Sequence, residues 1–351
     1  MRALVIGRGH IGVTGDQLEG LMMYRAELAS KLNFHFDRVE LFNLQDTEDA
    51  IAQSRHDVVF FMTDFVEDRQ KLKEMMERLT SRRPRPKLVY LDYFAQTSSP
   101  YFDLLLPFVD VYSKQKLLRD RADYQKDYLG GFIFTDWYSR HHGFDLGAWN
   151  FGSKPDPRLD HKLVLGWSLG VKSQYRWILR GNRLLPKSFT RRKYDLNGRL
   201  GLQKRDLREW YEKYREESQA EVEKLRSSMA VTPKERVKKR QYMMELRDSK
   251  LVFSPFGWGE LCYRDYEAVA WGALLVKPSM SHLVTSPDIF VEDETYLSTA
   301  WDFSDFPEKS RAALADGKRS QRIIRAAQQK LGDYYERGGF VADVKRVLAA
   351  L

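Results

Sequence analysis

The sequence predicts an α/β protein made of two Rossmann-like, doubly wound lobes that face a central cleft. Short apolar runs, such as Val58–Phe61, alternate with amphipathic stretches in the first half of the chain. Such runs are typical of parallel strands covered by helices on both faces. The alternation stops in residues 130–161, which are rich in Gly, Pro, His and aromatic residues, and then resumes. A length of 351 residues also fits about two domains.

The first series of elements predicts an N-terminal lobe over residues 1–150. Its strands are predicted at Ala3–Gly7, Arg38–Leu44, Asp57–Thr63, Lys87–Leu91 and Val109–Tyr112. Its helices are predicted at Gln17–Leu32, Thr47–Ser54, Glu67–Thr80 and Lys114–Tyr128. The segment after them is interpreted as a linker, with an aromatic loop at Trp137–His142 that shapes the acceptor side of the cleft.

The second series predicts a C-terminal lobe over residues 151–335, followed by a C-terminal helix over residues 336–351. Strands are predicted at Lys162–Gly166, Arg192–Leu196, Leu251–Ser254 and Ala273–Val276. Helices are predicted at Asp206–Ser227, Pro233–Leu246, Leu261–Trp271, Glu308–Tyr335 and Phe340–Leu351. Ligands of such proteins bind where the carboxyl ends of the strands face the cleft.

Charge and cysteine content limit the class of partner. The net charge is +9 and the pI is about 9.3, which favours an anionic ligand. The single cysteine, Cys262, excludes a disulfide framework and a cysteine zinc site. The start of the chain resembles a strand rather than a signal peptide, so we expect a cytoplasmic location. No nucleic-acid module or stacking array is visible, so nucleic acid is not an expected partner.

A basic stretch lies between Arg176 and Arg208. It contains eleven Lys and Arg against Asp195 and Asp206, a net charge of +9. Such a run is often only a solvated surface. It would also draw an anionic donor or an acidic or lipid-linked acceptor into the cleft, and it fits a peripheral contact with anionic membrane. Arg199, just after a predicted strand, is the candidate clamp for a diphosphate.

A first glycine motif, Gly7-Arg8-Gly9-His10-Ile11-Gly12, follows the first strand. The pattern matches a dinucleotide-binding turn, which makes an NAD(P)-dependent oxidoreductase the alternative function. The helix is not expected to start at once, because Val13–Asp16 intervene. Glu40 also stands inside the second strand rather than at its end. His10, at the carboxyl edge of the first strand, is a candidate general base.

A second motif spans residues 254–278 and carries more information. A buried strand ends at Ser254, a Pro/Gly loop containing Gly257 follows, and a helix starts near Glu260. A glycine loop before a helix N-terminus suits a diphosphate. Arg264 in the first turn can fork onto phosphate oxygens. The spacing also places Glu260 and Glu267 on the helix face that carries Arg264.

This segment resembles the donor-binding segment of GT-B glycosyltransferases, nearest to exostosin-like and family-1-type enzymes. The matching positions are Gly257, Arg264, Glu267, Ala268, Gly272 and the strand Ala273–Pro278. The resemblance implies a nucleotide-sugar donor, with Arg264 at the diphosphate and Glu267 at the ribose or donor sugar. Ser254 and Tyr263 are assigned to the same donor site. Retaining members often carry two glutamates eight positions apart, whereas Glu260 and Glu267 are seven apart. The stereochemical outcome therefore stays open.

The remaining predicted site residues complete a glycosyltransferase hypothesis. In an inverting enzyme, a base in the N-terminal lobe would deprotonate the acceptor hydroxyl, and the candidates are His10, Asp64 and Asp92. His282, in the loop after the returning strand, is expected over the nucleotide. No Asp-x-Asp motif stands in a suitable loop, so we expect no metal and no cofactor besides the donor. A GT-B-like binding protein without activity is the third hypothesis, and the acceptor, whether glycan, lipid-linked or small molecule, stays open.

Overall fold

The computed structural model describes residues 1–201 and 209–351. The start of the predicted helix Asp206–Ser227 lies outside these residues, as do Lys204, Arg205 and Arg208 of the basic stretch. In the described part, two parallel sheets form two lobes. The predicted class, an α/β protein with two Rossmann-like lobes, is confirmed.

The first lobe contains a six-stranded parallel sheet in the order β2-β1-β3-β4-β5-β7. Its strands are β1 (Arg2–Arg8), β2 (His35–Leu41), β3 (Val58–Phe61), β4 (Lys87–Asp92), β5 (Val111–Lys114) and β7 (Leu163–Leu165). All four residues of β3 are buried, which requires helices on both faces of the sheet. The intervening elements are α1 (Gly12–Met23), α2 (Arg25–Leu32), α3 (Leu44–Gln53), α4 (Arg69–Ser81), α5 (Phe102–Leu105), β6 (Lys116–Leu118) and α6 (Ile133–His142).

The second lobe contains a four-stranded parallel sheet in the order β12-β10-β9-β8. Its strands are β8 (Tyr194–Asn197), β9 (Ser249–Phe253), β10 (Leu274–Pro278) and β12 (Leu297–Thr299), with β11 (Leu283–Thr285) between the last two in sequence. The helices are α7 (Ser173–Leu184), α8 (Glu209–Leu225), α9 (Lys239–Arg247), α10 (Tyr263–Ala270), α11 (Phe306–Ala315), α12 (Gly317–Glu336) and α13 (Gly339–Ala349).

Two connections join the lobes away from the sheets. Strand β6 of the first lobe pairs antiparallel with β11 of the second, with Leu118 opposite Leu283. Helix α13 returns to the first lobe, where Phe340 stacks on Tyr24 at 5.2 Å and Arg346 donates to the Leu165 carbonyl at 3.0 Å. These contacts hold the two lobes together.

Several predicted elements were wrong. The predicted helix Lys114–Tyr128 is instead the end of β5, strand β6 and a 3₁₀ turn, because pairing with β11 overrides local helix propensity. The predicted loop at Trp137–His142 is part of helix α6, whose Phe134 packs on Tyr214 and Phe256 of the second lobe. The strand predicted at Lys162–Gly166 exists as β7, but it completes the first sheet rather than opening the second.

Candidate functional site

Helix α10 and the loop before it form the centre of the candidate site. Asp265 fixes the start of the helix, because the Cys262 amide donates to its carboxylate at 2.9 Å. Lys277 in β10 lies 3.1 Å from the same carboxylate, and both side chains are fully buried. Gly272 follows the helix with φ +68°, the left-handed conformation that commonly ends a helix. The N-terminal end of α10 is thus held rigidly at the carboxyl edge of the second sheet.

Arg264 and Glu267 are connected through Tyr242 of helix α9. The Tyr242 hydroxyl donates to Glu267 at 3.1 Å, and Arg264 Nε lies 3.4 Å from the same hydroxyl. Burial raises the pKa of Glu267 above its ordinary value, although the hydrogen bond from Tyr242 and the charge of Arg264 oppose it. A pocket of about 380 Å³ lies beside this group and is lined by Arg264, Tyr242, Gln219, Lys234 and Arg236. The motif therefore places a cation and a buried carboxyl group near a concave basic surface.

Arg199 is not the free clamp that the sequence suggested. Its guanidinium is buried and forms a two-pronged ion pair with Glu245, with Nη2 at 2.9 Å, and it also donates to the Glu235 carbonyl. Its backbone carbonyl accepts a 2.7 Å hydrogen bond from Arg264. Arg199 thus positions Arg264 and is not itself available to a diphosphate.

Three other predicted donor residues have different surroundings. Ser254 is buried and donates to Asp265 at 2.6 Å, so it faces the interior rather than a ligand. Gly257 lies in the loop, where its amide donates to the Gly259 carbonyl at 2.9 Å. The Tyr263 hydroxyl donates to Asp16 of helix α1 at 2.6 Å and therefore joins the two lobes.

Glu260 precedes α10 and contacts the first lobe. The sequence placed it on one helix face with Arg264, but it accepts a hydrogen bond from Thr97 and lies 3.7 Å from Lys116 Nζ. Burial alone would raise the pKa of Glu260, whereas His282, Lys116 and Thr97 together hold it at about 2. The predicted residue His282 lies 3.9 Å from this carboxylate. Both ring nitrogens of His282 are buried and lack a hydrogen-bond partner within the described ranges, which leaves this imidazole unsatisfied.

The structure brings together two of the three candidate bases. His10 Nε2 lies 3.2 Å from Asp64 Oδ1 at the carboxyl edge of the first sheet. The buried guanidinium of Arg8 fixes this carboxylate with Nε at 3.1 Å, and also binds Glu67 at 2.7 Å. The His10 side chain is 42% exposed, and its ring stacks on Phe42 with centroids 6.0 Å apart. An imidazole held by a carboxylate and open to solvent is suited to proton transfer.

Asp92, the third candidate base, has a structural environment. Its carboxylate is fully buried and accepts hydrogen bonds from Lys114 at 3.0 Å, Tyr112 at 2.8 Å and the Phe94 amide at 2.9 Å. A carboxylate paired with a buried lysine in this way is not accessible to an acceptor hydroxyl. We therefore do not retain Asp92 as a base.

The first glycine motif packs closely against the second strand. Helix α1 begins at Gly12, so the expected gap between the motif and the helix is absent. A β-carbon on Gly7 would lie 2.5 Å from the Glu40 carboxylate, and one on Gly9 would lie 2.8 Å from the Phe42 ring. Both glycines are therefore in close contact with the side chains of the second strand and the residue after it. The glycines are thus explained by packing against β2.

A second pocket, of about 300 Å³, lies in the first lobe between Ser98 and Lys154. Each of its cations is already neutralised: Lys126 by Asp123, Arg140 by Asp136 and Lys154 by Asp127, at 2.6 to 2.9 Å. These ion pairs balance the positive charge of the pocket lining. In residues 1–201 and 209–351, no group of three acidic, His or Cys side chains is arranged to hold a metal ion, and no helix has the length and apolarity needed to span a membrane.

Sequence reasoning missed Tyr242, Asp16 and Lys116. Tyr242 belongs to a helix with no motif, and only the fold places it between Arg264 and Glu267. Asp16 follows the glycine motif, yet nothing local links it to Tyr263. Lys116 stands in a charged segment that suggests a surface helix, although its side chain is fully buried.

Solved structures with a similar fold cover nearly the whole chain. They include the E. coli trehalose-6-phosphate protein bound with UDP-2-fluoro glucose (TM-score 0.54, 9% identity, covering 99% of this chain and 98% of that one). The Candida albicans trehalose-6-phosphate phosphatase N-terminal domain has a TM-score of 0.53 and 11% identity, and the match covers 99% of this chain and 97% of that one. A glycosyltransferase from Rickettsia africae ESF-5 has a TM-score of 0.51 and 9% identity, and the match covers 99% of this chain and 97% of that one.

The sequence itself matches no protein-family model and no curated protein. Identities of 9 to 11% carry the fold alone, so the resemblance to exostosin-like enzymes stays a prediction. The shared arrangement extends over both lobes of each chain. The protein therefore has the two-lobed GT-B glycosyltransferase fold that its second motif predicted.

Proposed function

We propose that the protein is a glycosyltransferase that moves a sugar from a nucleotide-diphosphate donor to an acceptor hydroxyl without a metal ion. One observation carries this proposal. Arg264 and the buried Glu267 are joined through Tyr242 beside a basic pocket, at the N-terminal end of α10. A cation for a diphosphate and a carboxyl group for ribose hydroxyls thus stand next to each other.

The donor would lie with its diphosphate at the start of α10. The positive end of the helix, the Arg264 guanidinium and the His282 ring would stabilise the charge that develops on the leaving diphosphate. Glu267 would accept hydrogen bonds from the ribose or the sugar. Lys234 and Arg236 line the pocket and add positive charge around the nucleotide. Arg199 and Asp265 act by positioning this group.

The acceptor hydroxyl would be deprotonated by His10. If the ring proton resides on Nε2, which lies 3.2 Å from Asp64 Oδ1, the lone pair on Nδ1 is free to accept the acceptor proton. Asp64 then orients the ring and stabilises the imidazolium that forms. The stacked Phe42 provides an apolar wall on the same side. A glycan, a lipid-linked sugar or a small molecule can present such a hydroxyl.

A thermal-shift panel tests the donor class. UDP, GDP, ADP, CMP, UDP-sugars, NAD and NADP are added to wild type, to Arg264→Ala and to Arg55→Ala, an exposed control. A ligand at 100 times its Kd stabilises by about 2.7 kcal/mol, which is easily measured. We expect one nucleoside diphosphate to stabilise wild type and the control but not Arg264→Ala. Stabilisation by NAD or NADP alone would support the oxidoreductase alternative instead. Donor binding without sugar transfer would support an inactive binding protein.

A further inference from the structure

Helix α7 presents an exposed apolar strip on a strongly basic surface. Trp177 is 65% exposed, and Leu184 and Leu185 are 81% and 74% exposed. Trp177, Gly181 and Leu184 are four and three positions apart and so lie along one face of the helix. The opposite face, with Tyr175 and Leu179, is buried against the lobe. The apolar side chains on the outer face are therefore not part of the core.

The surroundings of this strip are cationic. The sequence contains no Asp or Glu between Lys172 and Arg192 and seven Lys and Arg in that range. Three of the seven are paired with acids of other elements: Lys172 with Asp16, Arg183 with Glu336 and Lys187 with Asp248. Arg180 lies over the Trp177 ring at 5.8 Å and forms no ion pair with any acidic residue in the described ranges. Arg191 and Arg325 are likewise unpaired there, and Arg325 lines the groove beside Pro186 and Lys187. Cations from two elements thus surround the apolar strip.

We infer that this face, defined by Trp177, Leu184, Leu185, Arg180 and Arg325, binds peripherally to a membrane surface rich in anionic lipid. Tryptophan favours the interface between headgroups and acyl chains, and leucines insert a short distance below it. Arginines at the rim then contact phosphate groups of the lipids. Apolar burial and charge attraction act together, which is the combination that holds interfacial helices at bilayers.

A second copy of the chain fits this face less well. In a two-fold symmetric dimer the same patch meets itself, so Arg180 and its neighbours would face their own copies. Arg180, Arg191 and Arg325 have no acidic partner in the described ranges, so repulsion between their copies opposes such an interface. An anionic bilayer neutralises the same charges. This inference does not depend on the proposed transferase activity, because no residue of the face belongs to the candidate site.

Co-sedimentation of the full chain with lipid vesicles tests the inference. The vesicles contain phosphatidylglycerol and phosphatidylcholine in equimolar amounts, with pure phosphatidylcholine vesicles as the comparison. We expect binding to the anionic vesicles, reduced at high salt, and weak binding to the neutral ones. The double variant Leu184→Ser/Leu185→Ser should bind about tenfold more weakly or worse. Arg180→Gln should weaken binding by roughly fivefold.

Matched variants distinguish binding through this face from non-specific binding to vesicles. Met244→Ser removes an apolar side chain of 59% exposure elsewhere in the second lobe, and Arg55→Gln removes an exposed cation in the first. Both should bind as wild type does. Equal binding by the leucine double variant, equal binding to neutral vesicles, or no vesicle binding at all would overturn the inference. So would a wild-type dimer, measured by light scattering, that the leucine double variant converts to a monomer.

Discussion

The hydroxyl of Tyr242 on helix α9 lies 3.1 Å from the carboxylate of Glu267 on helix α10. This contact joins two helices that the sequence does not link by any motif. It places a hydrogen-bond donor beside a carboxyl group whose pKa is raised by burial. A buried carboxyl group with a raised pKa, which lowers the stability of the fold when it is ionised, is typical of a functional site.

Glu267→Gln should therefore separate binding from stability. Because the folded pKa of Glu267 lies above its unfolded value, the ionised form costs stability, and this cost grows as the pH rises through the interval between the two values. Glutamine removes the cost, so at neutral pH the variant should be at least as stable as wild type. Its affinity for the stabilising nucleoside diphosphate should fall about 10- to 100-fold, as expected for lost hydrogen bonds to a charged group. Calorimetric titration and thermal unfolding measure the two effects. Glu308→Gln, at an exposed site, should change neither, and unchanged affinity in Glu267→Gln would exclude this residue from the donor site.

His10→Ala should reduce the rate of sugar transfer by about 10²- to 10⁴-fold, the range typical for loss of a general base. Donor affinity should not change, because the ring lies in the first lobe and contacts Asp64 and Phe42. Asp64→Asn should give a smaller loss, since it disturbs only the orientation of the ring. Release of the nucleoside diphosphate measures the rate. A lower donor affinity with an unchanged rate in His10→Ala would contradict the role of base.

The comparison of sequence and structure shows which kinds of feature local patterns predict. The strand, loop and helix around Arg264, and the glycine after that helix, were predicted because each depends on neighbouring residues. The helix predicted at Lys114–Tyr128 was wrong, because β6 gains its partner from β11, more than 160 positions away in sequence. Residues 130–161 were predicted as a loop because aromatic residues obscure the apolar face of α6.

The site shows the same division. Residues chosen from a motif lie close to each other, as Arg264 and Glu267 do. A residue's role could not be predicted from sequence spacing where it depends on the hydrogen-bond partners of its side chain. Arg199 was predicted to clamp a diphosphate and is paired with Glu245, and Asp92 was a candidate base and is paired with Lys114. Both partners come from elements that only the tertiary fold brings near.

Acid stability should depend on Glu260. Its folded pKa of about 2 lies below its unfolded value of 4.5, so its ionised form stabilises the fold above pH 4.5. This contribution is lost as the pH falls from 4.5 toward 2. Between pH 6 and pH 3 the loss should be about 2 kcal/mol, from the linkage between pKa and stability.

Glu260→Gln should lack this part of the pH dependence. The variant is expected to be less stable than wild type at pH 6, because Lys116 is left buried without its partner. The difference between the two should shrink by about 2 kcal/mol as the pH is lowered to 3. Urea unfolding at a series of pH values measures it, with Glu308→Gln as the exposed control. Parallel pH profiles for wild type and Glu260→Gln would show that the carboxylate is not held ionised by its neighbours.

Gly257 and Gly259 lie in the same loop, but only Gly259 is packed against the first lobe. A β-carbon on Gly259 would lie 1.6 Å from the Ala95 carbonyl oxygen, so the donor loop and the first lobe meet backbone to backbone. A β-carbon on Gly257 would lie 3.7 Å from its nearest neighbouring atom, which is an ordinary van der Waals distance. The two positions differ in what they touch, although they share one loop and neither requires a positive φ.

Gly259→Ala should therefore force the loop away from Ala95, whereas Gly257→Ala should not. Overpacking of this kind typically costs about 1–3 kcal/mol, and here the neighbouring atom belongs to backbone that cannot rotate aside. Because the same movement pulls Glu260 from Thr97 and shifts the start of α10, affinity for the nucleoside diphosphate should fall together with stability. Thermal unfolding with and without the ligand measures both in one experiment. If Gly259→Ala keeps the wild-type melting temperature and ligand response, the loop before α10 does not depend on its contact with the first lobe. The contact between the two lobes is then not needed to form the site.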